Sequence, residues 1–220
     1  MSRNVNGLAP LEIDTWVNVM IQALEAKNPV TASHSIRVGY FSAQIGRAMG
    51  WEDAECKILR IGGMLHDIGK IGIPNAILDK HEKLNDQERR TIEHHTEIGF
   101  RILGAAHSLK SIADVAKDHH LRPDDSGYPR EENGQRQYKS YSEVSPFTRV
   151  VTVADVFDIL WTGRVYQDKK DLKWIMAEFH SCIGMQFDEA AVRGLIQYLK
   201  TRFGEEKIER YVAQKQKKAA

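Results

Sequence analysis

Leu65-His66-Asp67-Ile68-Gly69-Lys70 sets an imidazole beside a carboxylate where the surrounding pattern reads as a helix end. Upstream, Ile58, Leu59, Ile61, Gly62, Leu65 and His66 keep a helical period from about Asp53, so the pair closes an apolar helix near Gly69. Alone, a His-Asp pair is more often a cap or a surface pair. The chain also supplies His34 upstream and His95, His119-His120 and Asp155 downstream, all nitrogen or oxygen donors and none a thiolate. Such donors suit Fe, Mn, Zn or Ni better than a thiolate-rich site does.

Outward from that stretch, nearly every segment reads with helical period. His34, Val38, Phe41, Ile45 and Ala48 recur at intervals of four and three, so His34 projects from the core face of a helix that Gly50 stops. Before it, Ile13, Trp16, Val17, Met20 and Leu24 form one stripe, closed by Asn28-Pro29. Ile71-Gly72-Ile73-Pro74 reads as a short extended turn, because the residue before proline avoids helical dihedrals. Asn85 can cap a helix whose Glu88 follows three residues later. On that helix Ile92, His95, Gly99 and Ile102 share a face, whereas His94 is rotated by about 100°.

A further helix from about Ser108 presents Ile112, Val115 or Ala116, and His119. Leu121 to Tyr141 has no period and is rich in Pro, Gly, Asp and Glu, a loop of the length that usually serves as a lid or binding element. Ser145-Pro146 opens another helix, with Phe147, Val151, Asp155 and Asp158 along one side. Leu172 to about Tyr211 is again amphipathic helix, interrupted at Gly184-Met185-Gln186-Phe187-Asp188. No strand-rich region or repeat is visible, so the expected fold is all-α.

At 220 residues, 42% hydrophobic and 28% charged, the chain is expected to be one soluble globular domain with a large core. Residues 1–12 are expected as a short N-terminal extension, 13–205 as the domain, and 206–220 as a helical or frayed basic tail. A formal net charge of +1 gives no field that recruits a nucleic acid polymer or a membrane surface. Cys56 and Cys182 lack CxxC spacing and read as buried thiols in a reducing compartment. With no signal peptide and no long apolar run, the cytoplasm is the expected location.

Four helices therefore offer His34, His66/Asp67, His95 and Asp155 on or beside apolar faces, and His119/His120 close a fifth. Asp155 lies inside Val150-Val151-Thr152-Val153-Ala154-Asp155-Val156-Phe157. A carboxylate buried there costs several kcal/mol unless it is paired or metal-bound. Any one of these histidines reads equally well as a hydrogen-bonded core residue, but seven such side chains would need separate partners. Adjacent histidines on a helix diverge by about 100°, which suits two neighbouring ions better than one. Two ions about 3.5–4 Å apart form the arrangement used for in-line phosphoryl hydrolysis. His81, His94, His107 and His180 lie in polar or irregular contexts and read as surface residues.

At this point the chain resembles a known family. His66-Asp67 with Ile68-Gly69-Lys70-Ile71-Gly72-Ile73-Pro74 is similar to the signature of HD-domain phosphohydrolases. His119-His120-Leu121-Arg122-Pro123-Asp124-Asp125-Ser126-Gly127-Tyr128-Pro129 narrows the likeness to the HD-GYP subfamily. His34-Ser35-Ile36-Arg37-Val38, Val153-Ala154-Asp155-Val156-Phe157-Asp158, Arg164-Val165-Tyr166 and Gln186-Phe187-Asp188 extend it over residues 13 to 200. The resemblance implies an all-α HD core with a helical extension and a Gly-Tyr-Pro lid loop. It also implies hydrolysis of cyclic di-GMP to pGpG or GMP at a two- or three-metal centre. His34, His66, Asp67 and Asp155 would hold one metal; Asp67, His95, His119 and His120 would hold the other. Asp67 and Lys70 would be the catalytic residues, with Lys70 on a substrate phosphate and Arg164 and Tyr166 at the distal phosphate or guanine. Gly127, Tyr128 and Pro129 would shape the lid and a surface for partners, a diguanylate cyclase or another signalling protein. Iron or manganese is the expected metal, with zinc, nickel and magnesium as alternatives, and a homodimer is a further expectation.

The sequence departs from the family pattern in places. Val30 stands where a third-metal glutamate is usual, and Leu121 where a glutamate follows the double histidine. Asp125 replaces a glycine, Val165 a proline and Gln167 a basic residue. Two alternatives follow: an HD phosphohydrolase for another nucleotide such as a hybrid cyclic dinucleotide, or a weakly catalytic module that binds cyclic di-GMP or docks a cyclase.

Overall fold

A computed structural model describes residues 10–129, 140–163 and 170–216. Arg164, Val165, Tyr166 and Gln167, the middle of the expected lid loop, and Lys217 and Lys218 lie outside the described residues. Among those described, the chain forms α1 (Pro10–Lys27), α2 (Pro29–Ala48), α3 (Asp53–Leu65), α4 (Asn75–Leu78), α5 (Asp86–Glu93), α6 (His95–Gly104), α7 (Lys110–Asp118), α8 (Pro146–Thr162), α9 (Leu172–Ser181), α10 (Glu189–Phe203) and α11 (Glu205–Gln216). Short 3-10 turns occupy Ile68–Gly72, His107–Leu109 and Tyr141–Glu143. The one extended pairing among the described residues is an isolated bridge between Ile183 and Phe187. The fold is all-α, as the periodicity predicts.

Local chemistry sets the helix starts. The Thr31 amide donates to Asn28 Oδ1 at 2.8 Å, and Pro29 takes the first turn of α2, where an amide proton has no intrahelical partner. Asn85 and Glu88 form a reciprocal capping box at α5, and Ser145-Pro146 opens α8.

Two apolar clusters fill the interior. One gathers Val151, Val153, Phe157, Ile175, Phe179 and Leu195 from α8, α9 and α10. The other gathers Val17, Leu24, Ile61, Leu65, Leu103 and Ile112 from α1, α3, α6 and α7. Burying each such side chain is worth about 1.5–3 kcal/mol. Helices α2, α3 and α7 contribute to both clusters, through Val38 and Ala32, Leu59 and Ile61, and Val115 and Ala116. The same three helices carry His34 or lead directly into His66 and His119, so the site stands on helices anchored in both clusters.

Two glycines allow the closest approaches. A Cβ on Gly63 would lie 2.7 Å from Gly39 Cα, so α2 and α3 meet backbone to backbone; the His34 and His66 ring centres lie 5.4 Å apart. A Cβ on Gly69 would lie 1.9 Å from His95 O, so the turn after Asp67 seats directly on the start of α6.

Several expectations need correction. Trp16 is 51% exposed, because the buried stripe of α1 runs Val17, Ile21, Leu24 and Trp16 sits one residue off it. The helix carrying His66 ends at Leu65, and Ile71-Gly72 belong to a 3-10 turn, leaving only Ile73 extended before Pro74. The single helix expected from the Asn85 cap through Ile102 breaks at His94 into α5 and α6. The buried face then runs His95, Gly99, Leu103, and Ile102 is exposed. Helix α7 starts at Lys110 after a 3-10 turn, two residues later than expected. Cys182 is half-buried, not buried like Cys56.

Candidate metal centre

The seven sequence-derived ligands converge. His34 comes from the middle of α2, His66 and Asp67 follow the end of α3, and His95 opens α6. His119 and His120 follow α7, and Asp155 comes from the middle of α8. Three groups bring their donor atoms within 4.8 Å of one another: His34, His66 and Asp155; His66, Asp67 and His119; and His95, His119 and His120. His94 is exposed and outside all three, as its helical phase requires, and His81, His107 and His180 are also exposed. The divergence expected of His119 and His120 is absent, because the helix ends at Asp118 and the pair lies in a turn; their ring centres are 4.0 Å apart.

Backbone carbonyls orient the rings. His66 Nδ1 meets Gly63 O at 2.7 Å, His95 Nδ1 meets Ile92 O at 2.7 Å, and His119 Nδ1 meets Ala116 O at 3.0 Å. A carbonyl accepts only, so each ring places a proton on Nδ1 and turns Nε2 inward; burial disfavours the charged form of His95 and His119, whose Nε2 is therefore unprotonated. His95 Nε2 and His119 Nε2 face each other at 3.4 Å. With both protons held elsewhere, that contact is lone pair against lone pair.

Asp67 sits between the two halves of the cluster. Its Oδ2 lies 3.4 Å from His66 Nε2, and its Oδ1 lies 3.3 Å from His95 Nε2 and 4.0 Å from His119 Nε2. Oδ1 is buried and accepts no hydrogen bond. A buried carboxylate oxygen aimed at imidazole lone pairs is strongly unfavourable without a cation among them. The donor set therefore fits divalent metal ions, all oxygen and imidazole nitrogen, with the Asp67 carboxylate between its two halves. Lys70 Nζ bonds Asp67 Oδ2 and also lines the adjoining cleft.

The protonation states agree with ligation. Burial lowers His95 to about 4 against the opposing charge of Asp67, and burial with the neighbouring His95 lowers His120 to about 3. Burial, reinforced by His120, holds His119 well below the ordinary range. Burial alone would raise Asp67 and Asp155, but Lys70 and His66 beside the first and His34 beside the second hold both carboxyls low. His34 differs: burial opposes its charge, yet its contacts with Asp155 and Asp158 outweigh that and raise it to about 9.

Two residues that ligand counting overlooked shape this corner. Asp158 is fully buried, meets His34 Nδ1 at 2.8 Å, and accepts two hydrogen bonds from Arg37, 2.7 Å from Nε and 2.9 Å from Nη2. The signal was present: Arg37 follows His34 by three residues and Asp158 follows Asp155 by three, so each pair shares a helix face. Tyr128 of the Gly-Tyr-Pro stretch packs on His120 with ring centres 4.3 Å apart, and its amide donates to His120 O at 3.2 Å. Beside the centre opens a cleft of about 760 Å³ lined by His34, Arg37, Lys70, Asp158 and Ile159 on one side and by the Ile77–Leu84 segment on the other.

The family model described as HD domain matches residues 18–190. The chain is 37% identical over 176 residues to the 3'3'-cGAMP-specific phosphodiesterase 3 of Vibrio cholerae, covering 76% of this chain and 37% of that protein. It is 35% identical over 175 residues to a cyclic di-GMP phosphodiesterase of Thermotoga maritima, covering 79% of this chain and 46% of that one. It thus spans less than half the length of either curated relative. Among solved structures, the HD domain of the L. monocytogenes phosphodiesterase PgpH in complex with cyclic-di-AMP superposes with a TM-score of 0.58 at 20% identity. That match covers 84% of this chain and 96% of that chain, and it supports the fold.

Proposed function

Because the chain belongs to the HD-domain family, we propose that it is a metal-dependent phosphodiesterase that cleaves cyclic di-GMP to pGpG or GMP. The observation that carries this reading is Asp67, a buried carboxylate with Oδ1 unpartnered among imidazole lone pairs. His34, His66, Asp67 and Asp155 would hold one ion, and Asp67, His95, His119 and His120 the other, with iron or manganese as the expected metal. Bound divalent ions supply Lewis acidity toward a phosphoryl oxygen and toward water. The chain's own residues do the rest. The His66 and His95 rings stay fixed by backbone carbonyls, and Lys70 places a cation at the cleft beside the centre, where charge develops on the phosphoryl oxygens. Arg164 and Tyr166 are assigned to the distal half of the substrate, Gly127 and Pro129 to shaping the loop that carries Tyr128.

A second substrate is favoured by one observation: the relative at 37% identity is named for 3'3'-cGAMP, while the one at 35% is named for cyclic di-GMP. Residues 13–205 are proposed as the catalytic unit, acting in the cytoplasm; among the described residues no helix is long and apolar enough to cross a membrane. The test is turnover of both dinucleotides by protein reconstituted anaerobically with iron or manganese. Hydrolysis that disappears in Asp67→Ala supports the reading. Metal-loaded protein that binds either dinucleotide without hydrolysing it would instead make the chain a binding module.

A further inference from the structure

The cleft combines the polar His34, Arg37, Lys70 and Asp158 of the metal-centre corner with apolar lining from Ile77, Leu78, Leu84 and Ile92, and it is also bordered by Asn28, Asp79, Lys80 and His81. Asn28, Thr31 and His34 follow one another at three-residue steps along α2 and all border the cleft. At 1.5 Å of rise per residue, Asn28 stands about 9 Å along the helix axis from His34, on the scale of one nucleotide.

Asp79 ends α4, and its Oδ1 accepts from Asn28 Nδ2 at 2.8 Å. The side-chain oxygen of Asn28 accepts from the Thr31 amide, so the Asn28 side chain is locked and in turn orients the carboxylate. Asp79 is exposed at the cleft, and among the described residues only Asn28 donates to its carboxylate. A carboxylate in a cleft meant for a phosphodiester works against binding unless the ligand brings donors to it. Guanine brings two, N1–H and the N2 amine, on one edge. Adenine brings one donor and an acceptor nitrogen that a carboxylate repels. The apolar part of the lining suits the faces of a purine ring.

We propose that Asp79, oriented by Asn28, reads a guanine base held in the cleft beside the metal centre. The assignment rests on the phosphodiesterase reading and names the residue that reads the guanine shared by both proposed substrates.

The test is calorimetric binding of cyclic di-GMP and cyclic di-AMP to the metal-loaded chain and to its Asp79→Asn variant. Asparagine keeps an oxygen for Asn28 and is the same size, so the tie between α2 and α4 survives. The wild type should prefer cyclic di-GMP. Asp79→Asn should weaken cyclic di-GMP by about tenfold or more, the loss expected for a two-bond base contact, and leave cyclic di-AMP within about threefold. Removing a negative charge with no base readout would tighten both ligands alike. Equal shifts for the two ligands, or a wild type that binds them equally, overturn the assignment. Because binding is read, a chain that prefers cyclic di-GMP but never cleaves it refutes the enzyme reading and still supports the guanine contact.

Discussion

Asp158→Asn isolates the part of the site that ligand counting missed. Asp158 is fully buried and holds three contacts of 2.7–2.9 Å, one with His34 Nδ1 and two with the Arg37 guanidinium. Through the first it fixes the proton of His34 on Nδ1 and presents Nε2, which already lies 3.0 Å from Asp155 Oδ1. An amide in that place turns two of its own protons toward groups that donate, so the ring loses its anchor and Arg37 one of its two bonds. Loss of a carboxylate behind a metal-bound histidine costs about 10–100-fold in metal affinity, equivalent to about 1.4–2.7 kcal/mol. The loss should fall on the ion proposed to be held by His34, His66, Asp67 and Asp155, with the other ion retained. Competition against a chelator with known metal affinity measures both sites, and thermal melting of the metal-free variant checks that the fold survives. Equal weakening of both ions, or no weakening in a folded variant, would refute the reasoning.

Other expectations follow from the same geometry. Lys70→Ala should mainly lower kcat, because the lysine stands at the centre itself, whereas Arg164→Ala should mainly raise KM through the distal half of the substrate; steady-state kinetics separates the two. His94→Ala should leave metal content and activity unchanged, since that ring is exposed and outside every donor group, and elemental analysis with turnover checks it. His34 is raised above 6.5 to about 9, so its charge stabilises the metal-free fold fully below 6.5 and that contribution is lost as pH rises through about 9. Tm of metal-stripped protein should therefore fall across that window, while metal-loaded protein, which uses the neutral ring, should not show this loss.

Much of the site was legible in the sequence because its ligands sit on or beside helices with a clear apolar period. The 100° offset between His94 and His95 is enough to bury one and expose the other even though the helix breaks between them. Asp155 in a run of apolar residues announced a buried charge. Trp16 and Ile102 misled for a physical reason: each lies one residue from the stripe that packs, and size alone does not say which side of a stripe is covered. Asp158 and Arg37 stayed hidden as site residues because Asp158 touches the far nitrogen of His34 and Arg37 holds Asp158, contacts that depend on how α2 packs against α8. The far wall of the cleft was the least legible part. Its residues belong to a four-residue helix and the irregular stretch after it, where no periodicity reports a face. Arg164 and Tyr166 lie outside the described residues, so their roles rest on the resemblance.

The central claim is that Asp67 joins two metal ions in one centre. Elemental analysis of anaerobically reconstituted protein, run beside Asp67→Ala and His94→Ala, tests it most directly. The account predicts two ions per chain in the wild type and in His94→Ala. It predicts loss of ions together with activity in Asp67→Ala, whose removed oxygens face both halves of the cluster. A wild type that takes up at most one ion, or an Asp67→Ala variant that keeps two, would contradict it.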